Sequence, residues 1–406
     1  MPDIDVRLLT DKADLAEAAR TFRTAMVGLP PLGPIDDALL EGLFEPDRTY
    51  GAFEDGALVG TTDSYSGRIA VPGGAWVPQA AVTHVGVLPT HTRRGIATAL
   101  FNAQLAAARE QGEAVATLRA SDARIYGNFG YAIANTSVGF EVDAERARLR
   151  KGIPSSGRIR LIDIDNSWPA QASIYTSQPA PRAGVIFRSR HWWHAQEARQ
   201  AKSDAPAYVA VVGPAGAETG FVRYHPSSAE HWFLSSDRTI VVDDIVAHDT
   251  ASYVALVAHL FSIDLPHRIL FWSRPADDLL PWLFEDFRSV RVTVVRDETW
   301  LRLLDVEKAL SSRSYAGPDS IVLDVADPLL PANTTRLRIS RDGAEPTNLS
   351  AALATDVAAV SAAYLGGVKW WQLAHSGRLG TFDRRAVETL DALFAVPASP
   401  HSGTLF

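Results

Sequence analysis

The sequence predicts an α/β (α+β) protein of several domains. Three observations carry this. The chain has 406 residues, which at roughly 100 to 200 residues per domain implies two to four domains. Residues 1–152 alternate strand-like and helix-like runs, and residues 153–290 repeat the same order of elements. Residues 291–406 carry strands and then helices in a pattern of their own, an α+β arrangement.

The first segment opens with a helix in which Leu15, Ala18, Ala19 and Phe22 recur at helical spacing. Strands at Tyr50 to Phe53 and Ala57 to Thr61 flank Glu54-Asp55-Gly56, and an Asp-Gly pair between strands signals a hairpin. A Val-rich strand spans Ala80 to Leu88, followed by Pro89, a run of Thr and Arg, and a helix from Gly95 to Gln111 with Ile96, Ala99, Leu100, Ala103 and Ala107 on one face. Ala114 to Arg119 reads as a further strand. Lys151 to Gly157 is turn-rich and is the expected linker.

In the second segment, strands at Ala207 to Val212, Ala217 to Tyr224 and Ile240 to Ala247 precede a helix from Thr250 to Ile263. Here Ala247-His248-Asp249 stands where the first segment has a basic, glycine-containing turn, which suggests a diverged repeat without that turn. In the third segment the expected strands are Arg291 to Val295, Trp300 to Leu304, Ser320 to Val325 and Thr335 to Ile339. Its expected helices are Asp356 to Tyr364 and Arg384 to Leu393.

Composition narrows the chemistry. Hydrophobic residues make up 47% and charged residues 21%, enough apolar surface for packed cores and incompatible with wholesale disorder. There is no cysteine, so thiol nucleophiles, disulfides and Cys-ligated metals are excluded. With 39 Lys and Arg against 47 Asp and Glu the net charge is −8, unsuited to coating nucleic acid and compatible with cationic ligands. No signal peptide or apolar run of spanning length is visible, so a soluble, cytoplasmic chain without a membrane span is expected. His191-Trp192-Trp193-His194 spaces two histidines for a metal, but no further Cys/His pair supports that, so no metal is expected. The tryptophans there, and Trp370-Trp371, read as core or pocket wall.

The chemistry concentrates in Ala80 to Leu100. A strand ending in Val85-Gly86-Val87, a turn with Arg93-Arg94-Gly95 and an immediate helix form a cradle of backbone N–H groups that suits a phosphate. Gly95 lets the backbone approach closely, and Arg93 and Arg94 add positive charge. This passage resembles the GNAT N-acetyltransferases, whose coenzyme A motif Q/R-x-x-G-x-G/A stands here as Thr92-Arg93-Arg94-Gly95-Ile96-Ala97, with Thr92 in place of Gln or Arg. A second motif of that family, Y-x-x-x-G-F/Y, stands as Tyr126, Gly130 and Tyr131.

The whole chain further resembles the Eis (enhanced intracellular survival) acetyltransferase family. The resemblance implies tandem GNAT domains of mixed, mostly antiparallel sheets with helices, at 1-152 and 153-290, the second without the coenzyme A motif. It also implies a sterol-carrier-protein-like α+β domain at 291-406 and a homohexameric assembly. The co-substrate it implies is acetyl-CoA, with contacts at Val85, Gly86, Val87, Arg93, Arg94, Gly95, Ile96 and Ser121. The acceptors it implies are primary amines of cationic molecules: aminoglycosides, polyamines or lysine side chains.

For the chemistry, Tyr126 is the candidate general acid, since a phenol of pKa near 10 is protonated at neutral pH and can protonate a leaving thiolate. The resemblance assigns the Val85 amide to the thioester carbonyl and the Val87 amide to pantetheine. It places the terminal carboxylate of Phe406 in the active site as base or, given its low reference pKa of about 3.5, as attractor of the cation. His84 could face the acceptor, and Asp36 and Asp37, with Glu41, form an acidic patch that could draw it in. A transferase of longer acyl chains and a non-catalytic lipid or acyl-CoA binding protein are the alternatives.

Overall fold

The computed structural model describes residues 4–29, 33–155, 157–179, 181–201, 203, 205–380 and 383–405. The chain divides into two compact units, Met1–Asn135 with Arg182–Trp192 and Glu298–Phe406, and Thr136–Pro181 with Trp193–Asp297.

The first unit holds strands β1 (Asp5–Leu8), β2 (Tyr50–Glu54), β3 (Ala57–Ala70), β4 (Trp76–Val87), β5 (Val115–Leu118) and β6 (Ala132–Ile133). They form one seven-stranded sheet in the order β1-β2-β3-β4-β5, then Trp300–Leu303, then β6. All neighbours are antiparallel except β4 and β5. Asp55 and Gly56 both have positive φ, the type I′ geometry whose twist suits a two-residue hairpin. β4 starts at Trp76 rather than Ala80, because Pro78 keeps its place opposite Arg68 and its carbonyl accepts from the Ala114 N–H.

Helix α1 (Lys12–Met26) is capped by Asp11 and lies over β3 and β4, followed by α2 (Asp37–Leu43). In α3 (Ile96–Glu110) the buried residues are Ile96, Leu100, Phe101, Gln104, Leu105 and Ala108, so of the expected face only Ile96 and Leu100 are buried, while Ala99, Ala103 and Ala107 are partly exposed. The short α4 (Ala123–Tyr126) ends at the candidate acid.

The second sheet runs β13-β7-β12-β11-β10-β9-β8. Its strands are β7 (Thr136–Asp143), β8 (Ile159–Ile162), β9 (Tyr208–Val212), β10 (Gly220–Pro226), β11 (Thr239–Ala247), β12 (Arg268–Pro275) and β13 (Val290–Asp297). Read from β8, its pairings are antiparallel three times, parallel once and antiparallel twice, the same succession as in the first sheet. The repeat is therefore a repeat of pairing geometry. The helices of this stretch are α5 (Trp168–Thr176), α6 (Arg190–Ala201) and α7 (Thr250–Phe261). α7 follows β11 as α3 follows β4, but its first-turn donor at Ser252 is taken by the Asp249 carboxylate. A carboxylate at that point excludes a phosphate. Lys151 to Gly157 lies within this unit, which the chain enters at Thr136.

The rest of the first unit comprises β14 (Trp300–Leu303), α8 (Val306–Ser311), β15 (Ile321–Ala326), β16 (Thr335–Ser340), β17 (Gly343–Pro346) and β18 (Leu353–Asp356), then α9 (Val357–Ala363), α10 (Trp370–His375) and α11 (Arg384–Leu393). A four-stranded sheet β17-β16-β15-β18 carries the helices over a core that includes Leu323, Leu337, Val360, Leu390 and the wholly buried Trp370. Trp371, in contrast to the expectation that both tryptophans are core, is half-exposed.

Two further expectations are corrected. The strands near Arg291 and Trp300 do not belong to the third segment's sheet: β13 pairs with β7 in the second sheet, and β14 lies between β5 and β6 in the first. Strand partners this distant in sequence leave no local trace, because a strand's own pattern records which face is buried but not which edge it joins.

Candidate active site

The site begins with a departure from sheet regularity. β4 pairs with β5 only at Gln79, Ala80 and Ala81, so residues from Val82 to Val87 leave β5 and open a cleft. On the other side, Thr61 pairs with Gly86 and Asp63 with Thr83, which places one extra residue in β4, a bulge at His84 and Val85. His84 takes φ 49° there, a rare conformation for a side chain other than glycine. The Leu88 N–H bonds to Val59 on β3, so by strand alternation the Val87 N–H, and two residues back that of Val85, face the cleft. Gly86 has a packing reason: a Cβ there would lie 2.9 Å from the Ala25 Cβ, so the glycine lets α1 approach β4.

Past β4 the backbone curls through two left-handed residues, Arg93 at φ 62° and Gly95 at φ 82°. Such alternation turns successive N–H groups toward one point. Gly95 precedes α3 without any side-chain cap, whereas Asp11, Asp249, Asp305, Asp356 and Asp383 cap other helices. The first N–H groups of α3 are thus left for a ligand, and the buried Ile96 roots the helix start against Ala52, Val59 and Leu100. The donors fit a pyrophosphate. Arg94, expected to meet the phosphates, is held by two hydrogen bonds to Glu54, which also lies 2.9 Å from His91 Nε2. The Arg94 hydrogen bonds, with the charges of Arg94 and His91, hold the Glu54 carboxyl below its usual range against the opposing effect of burial, so local charge is largely neutralised and Arg93 is the freer cation. Gly95→Val is expected to let the turn relax out of the left-handed region in the free protein, so that re-forming it on binding costs about 1–2 kcal/mol and raises the acetyl-CoA Kd roughly 5- to 30-fold, measured by calorimetry, with the melting temperature little changed.

Tyr126 ends α4 and is buried, its ring against Phe101, Tyr131 and Trp300 at centroid distances of 6.0, 6.3 and 6.3 Å. Burial pushes its phenol pKa up, a hydrogen bond with Ser121 partly offsets this, and Asp122 adds to the rise. It is protonated at neutral pH, as an acid must be. Ser121 therefore meets Tyr126, whatever else it touches. Gly130 of the same motif has φ 77°, and a Cβ there would sit 1.8 Å from an Arg302 nitrogen. It makes room for that guanidinium, which pairs at 2.8 Å with Asp327 in full burial.

The approach to the chain's end is tied into the same unit. Glu298 Oε2 accepts from the Ser402 N–H at 2.8 Å and Oε1 from the Gly403 N–H at 3.0 Å, and it also binds Asn135. Arg119, which follows β5, donates to the Thr404 carbonyl at 2.6 Å and lies 3.3 Å from Glu298. Arg188 donates to the Thr404 hydroxyl at 3.1 Å and the Gly403 carbonyl at 3.1 Å, and Trp192 Nε1 donates to the Leu405 carbonyl at 2.5 Å. Phe406 lies outside the described residues.

None of Arg119, Arg188, Trp192 and Glu298 was evident as a site residue in the sequence. Their partners lie more than a hundred residues away, so no local spacing marks them. The acidic patch is structurally engaged: Asp36 caps α2 through the Leu39 N–H, and Asp37 binds Lys12 at 2.6 Å. Among the described residues no group of three or more His, Cys, Asp and Glu is placed to hold a metal ion.

A sheet splayed beside an uncapped helix start, with a buried phenol beyond the next strand, defines a GNAT acetyltransferase. Comparisons with known proteins agree: residues 5–134 and 184–303 each match an acetyltransferase (GNAT) domain family, and residues 306–403 match a sterol carrier protein domain. An uncharacterized N-acetyltransferase of Streptomyces avermitilis is 34% identical, covering 100% of this chain and 99% of that protein. The N-acetyltransferase Eis of Mycobacterium bovis is 31% identical over 85% of each. The crystal structure of Eis1 from Mycobacterium abscessus superposes with a TM-score of 0.91 at 42% identity, covering 100% of both chains. The chain belongs to the Eis family of N-acetyltransferases.

Proposed function

We propose that this enzyme transfers an acetyl group from acetyl-CoA directly to the primary amine of a cationic acceptor: an aminoglycoside, a polyamine or a lysine side chain of a peptide. The observation that carries the reading is the presence, in one compact unit, of the β4 splay, the uncapped start of α3 and a buried, protonated Tyr126. Acetyl-CoA supplies an activated acetyl thioester. Arg93, Gly95 and the first amides of α3 hold its pyrophosphate, the Val87 amide orients its pantetheine, and the Val85 amide polarises the acetyl carbonyl. Tyr126 holds the proton that the departing sulfur needs.

Direct transfer suits a chain without cysteine. The net charge of −8 favours cationic acceptors at long range. Phe406 belongs to the proposal as the residue whose carboxylate attracts the acceptor's ammonium, and the anchoring of Gly403 to Leu405 supports it. A homohexamer in the cytoplasm completes the reading, and sedimentation of the purified protein tests the assembly.

The decisive assay measures thiol release from acetyl-CoA with a panel of aminoglycosides, polyamines and lysine peptides, and repeats it with longer acyl-CoAs. Without protein cysteines the thiol signal carries no background. Release that is acceptor-dependent and fastest with acetyl-CoA supports the reading. Release with no amine in the panel, or faster turnover of long acyl chains, overturns it. A variant extended by one residue after Phe406 keeps acetyl-CoA affinity and loses turnover if the carboxylate acts as proposed.

A further inference from the structure

Directly transferring acetyl to an amine requires that the acceptor's ammonium first lose a proton, and a carboxylate of ordinary pKa accepts that proton poorly. The bulge of β4 carries an imidazole held by a buried carboxylate. His84 Nδ1 lies 3.1 Å from Oδ2 of Asp63, a wholly buried carboxylate on β3 whose other oxygen accepts from the Thr49 hydroxyl at 3.0 Å. A buried carboxylate on Nδ1 fixes the tautomer with the proton there, which leaves the Nε2 lone pair as the basic site. Among the described residues Nε2 has no hydrogen-bond partner, and the side chain is 21% exposed.

The ring is also held mechanically. Phe22 of α1 meets it at 5.0 Å, Phe44 at 5.6 Å and Tyr65 of β3 at 6.4 Å. The titratable groups facing it are Asp63 and Tyr65, with His191 stacked on Tyr65 at 6.1 Å. The left-handed φ of His84 is what turns this residue out of strand alternation immediately before Val85, the amide assigned to the acetyl carbonyl. A group that takes the amine's proton belongs next to the atom the amine attacks.

We propose that His84, oriented by the buried Asp63, is the base that accepts the acceptor's ammonium proton. The proton moves from the ammonium nitrogen to His84 Nε2, leaving a neutral amine and an imidazolium, and the imidazolium then releases it to solvent. This rests on the acetyl-transfer reading above, with the Phe406 carboxylate attracting the cation and His84 taking its proton.

The test uses the full-length protein and His84→Asn, since asparagine tolerates a left-handed backbone, beside Asp63→Asn. The expected result for His84→Asn is that kcat at neutral pH falls at least 100-fold, the acid limb of the kcat/KM profile disappears, added imidazole partly rescues turnover, and acetyl-CoA affinity by calorimetry is unchanged. A readout without turnover is 15N NMR of imidazole-labelled wild-type protein, which should show His84 protonated on Nδ1 and bare on Nε2. A His84→Asn enzyme keeping more than a third of wild-type kcat with the same acid limb overturns the proposal. So does a proton resident on Nε2 in the NMR spectrum, even where the variant fails to fold. If instead wild-type protein acetylates no amine, the acetyl-transfer reading fails and the dyad is not at issue.

Discussion

Tyr126→Phe lowers kcat by at least 100-fold and leaves acetyl-CoA affinity and thermal stability close to wild type. The direction follows from what the substitution removes. The ring stays, and with it the packing on Phe101, Tyr131 and Trp300 that holds the start of β6 to α3 and β14. Only the hydroxyl and its hydrogen bond with Ser121 are lost. A positioned acid typically contributes 100-fold to 10,000-fold, so losing it is visible far above assay error, while a half-satisfied buried hydroxyl contributes about 1 kcal/mol or less to folding. The pH dependence has a definite sign. Burial raises the phenol above its ordinary value near 10, so the protonated form persists into alkaline solution, and any decline of wild-type kcat between pH 7 and 9 cannot come from Tyr126. Stopped-flow turnover across that range checks it. A Phe variant retaining a tenth or more of wild-type kcat would end the assignment of Tyr126 as the acid.

The parts of this protein that were legible in the sequence are those whose reasons are local. The hairpin at Asp55-Gly56, the helix α3 and the glycine turn at its start each follow from residues a few positions apart, and each is present, although α3 buries Phe101, Leu105 and Ala108 rather than the expected alanines. Tyr126 and Gly130 were legible because a motif fixes their spacing, although the structure gives Gly130 a reason the motif does not state: it makes room for Arg302, 172 positions later in the numbering, where a Cβ would collide. What was not legible depends on chain crossings. The antiparallel insertion of β14 between β5 and β6 brings Glu298 beside Asn135 and Arg119, and neither β14's composition nor its flanks announce that neighbour. Asp63 reads as one polar residue in a strand until the bulge of β4 turns His84 onto it. The acidic patch at Asp36 and Asp37 illustrates the opposite error, because a cluster legible as charge serves in part as a helix cap and a lysine partner.

Glu298→Ala is the second large effect, and it separates positioning from chemistry. The side chain is wholly buried and gathers the Ser402 and Gly403 amides, Asn135 and Arg119, with His401 Nδ1 3.1 Å away. Burial alone would push its pKa up. The charges of His401 and Arg119, with hydrogen bonds from His401 and the Ser402 amide, outweigh that and hold it well below the usual carboxylate range. A carboxylate depressed in this way stabilises the fold fully above its unfolded pKa, near 4.3. That contribution fades only as pH falls through the still lower folded value, so the clamp is intact at neutral and mildly acidic pH. Truncation leaves buried donors and Arg119 without their acceptor, a loss of about 3–5 kcal/mol. It also loosens residues 401 to 405, whose remaining anchors include Arg119, Arg188, Trp192 and the Ala183 carbonyl, which accepts from the His401 N–H. The expected outcome is a lower melting temperature, faster amide exchange in the tail, a kcat reduced at least tenfold and an acetyl-CoA Kd within twofold of wild type, because the cradle at Gly95 has no contact with Glu298. Glu298→Gln, which keeps an acceptor and loses the charge, falls between the two. If the tail amides of Glu298→Ala exchange as slowly as in wild type, or kcat is unchanged while they exchange freely, the link between this carboxylate, the tail and turnover does not hold.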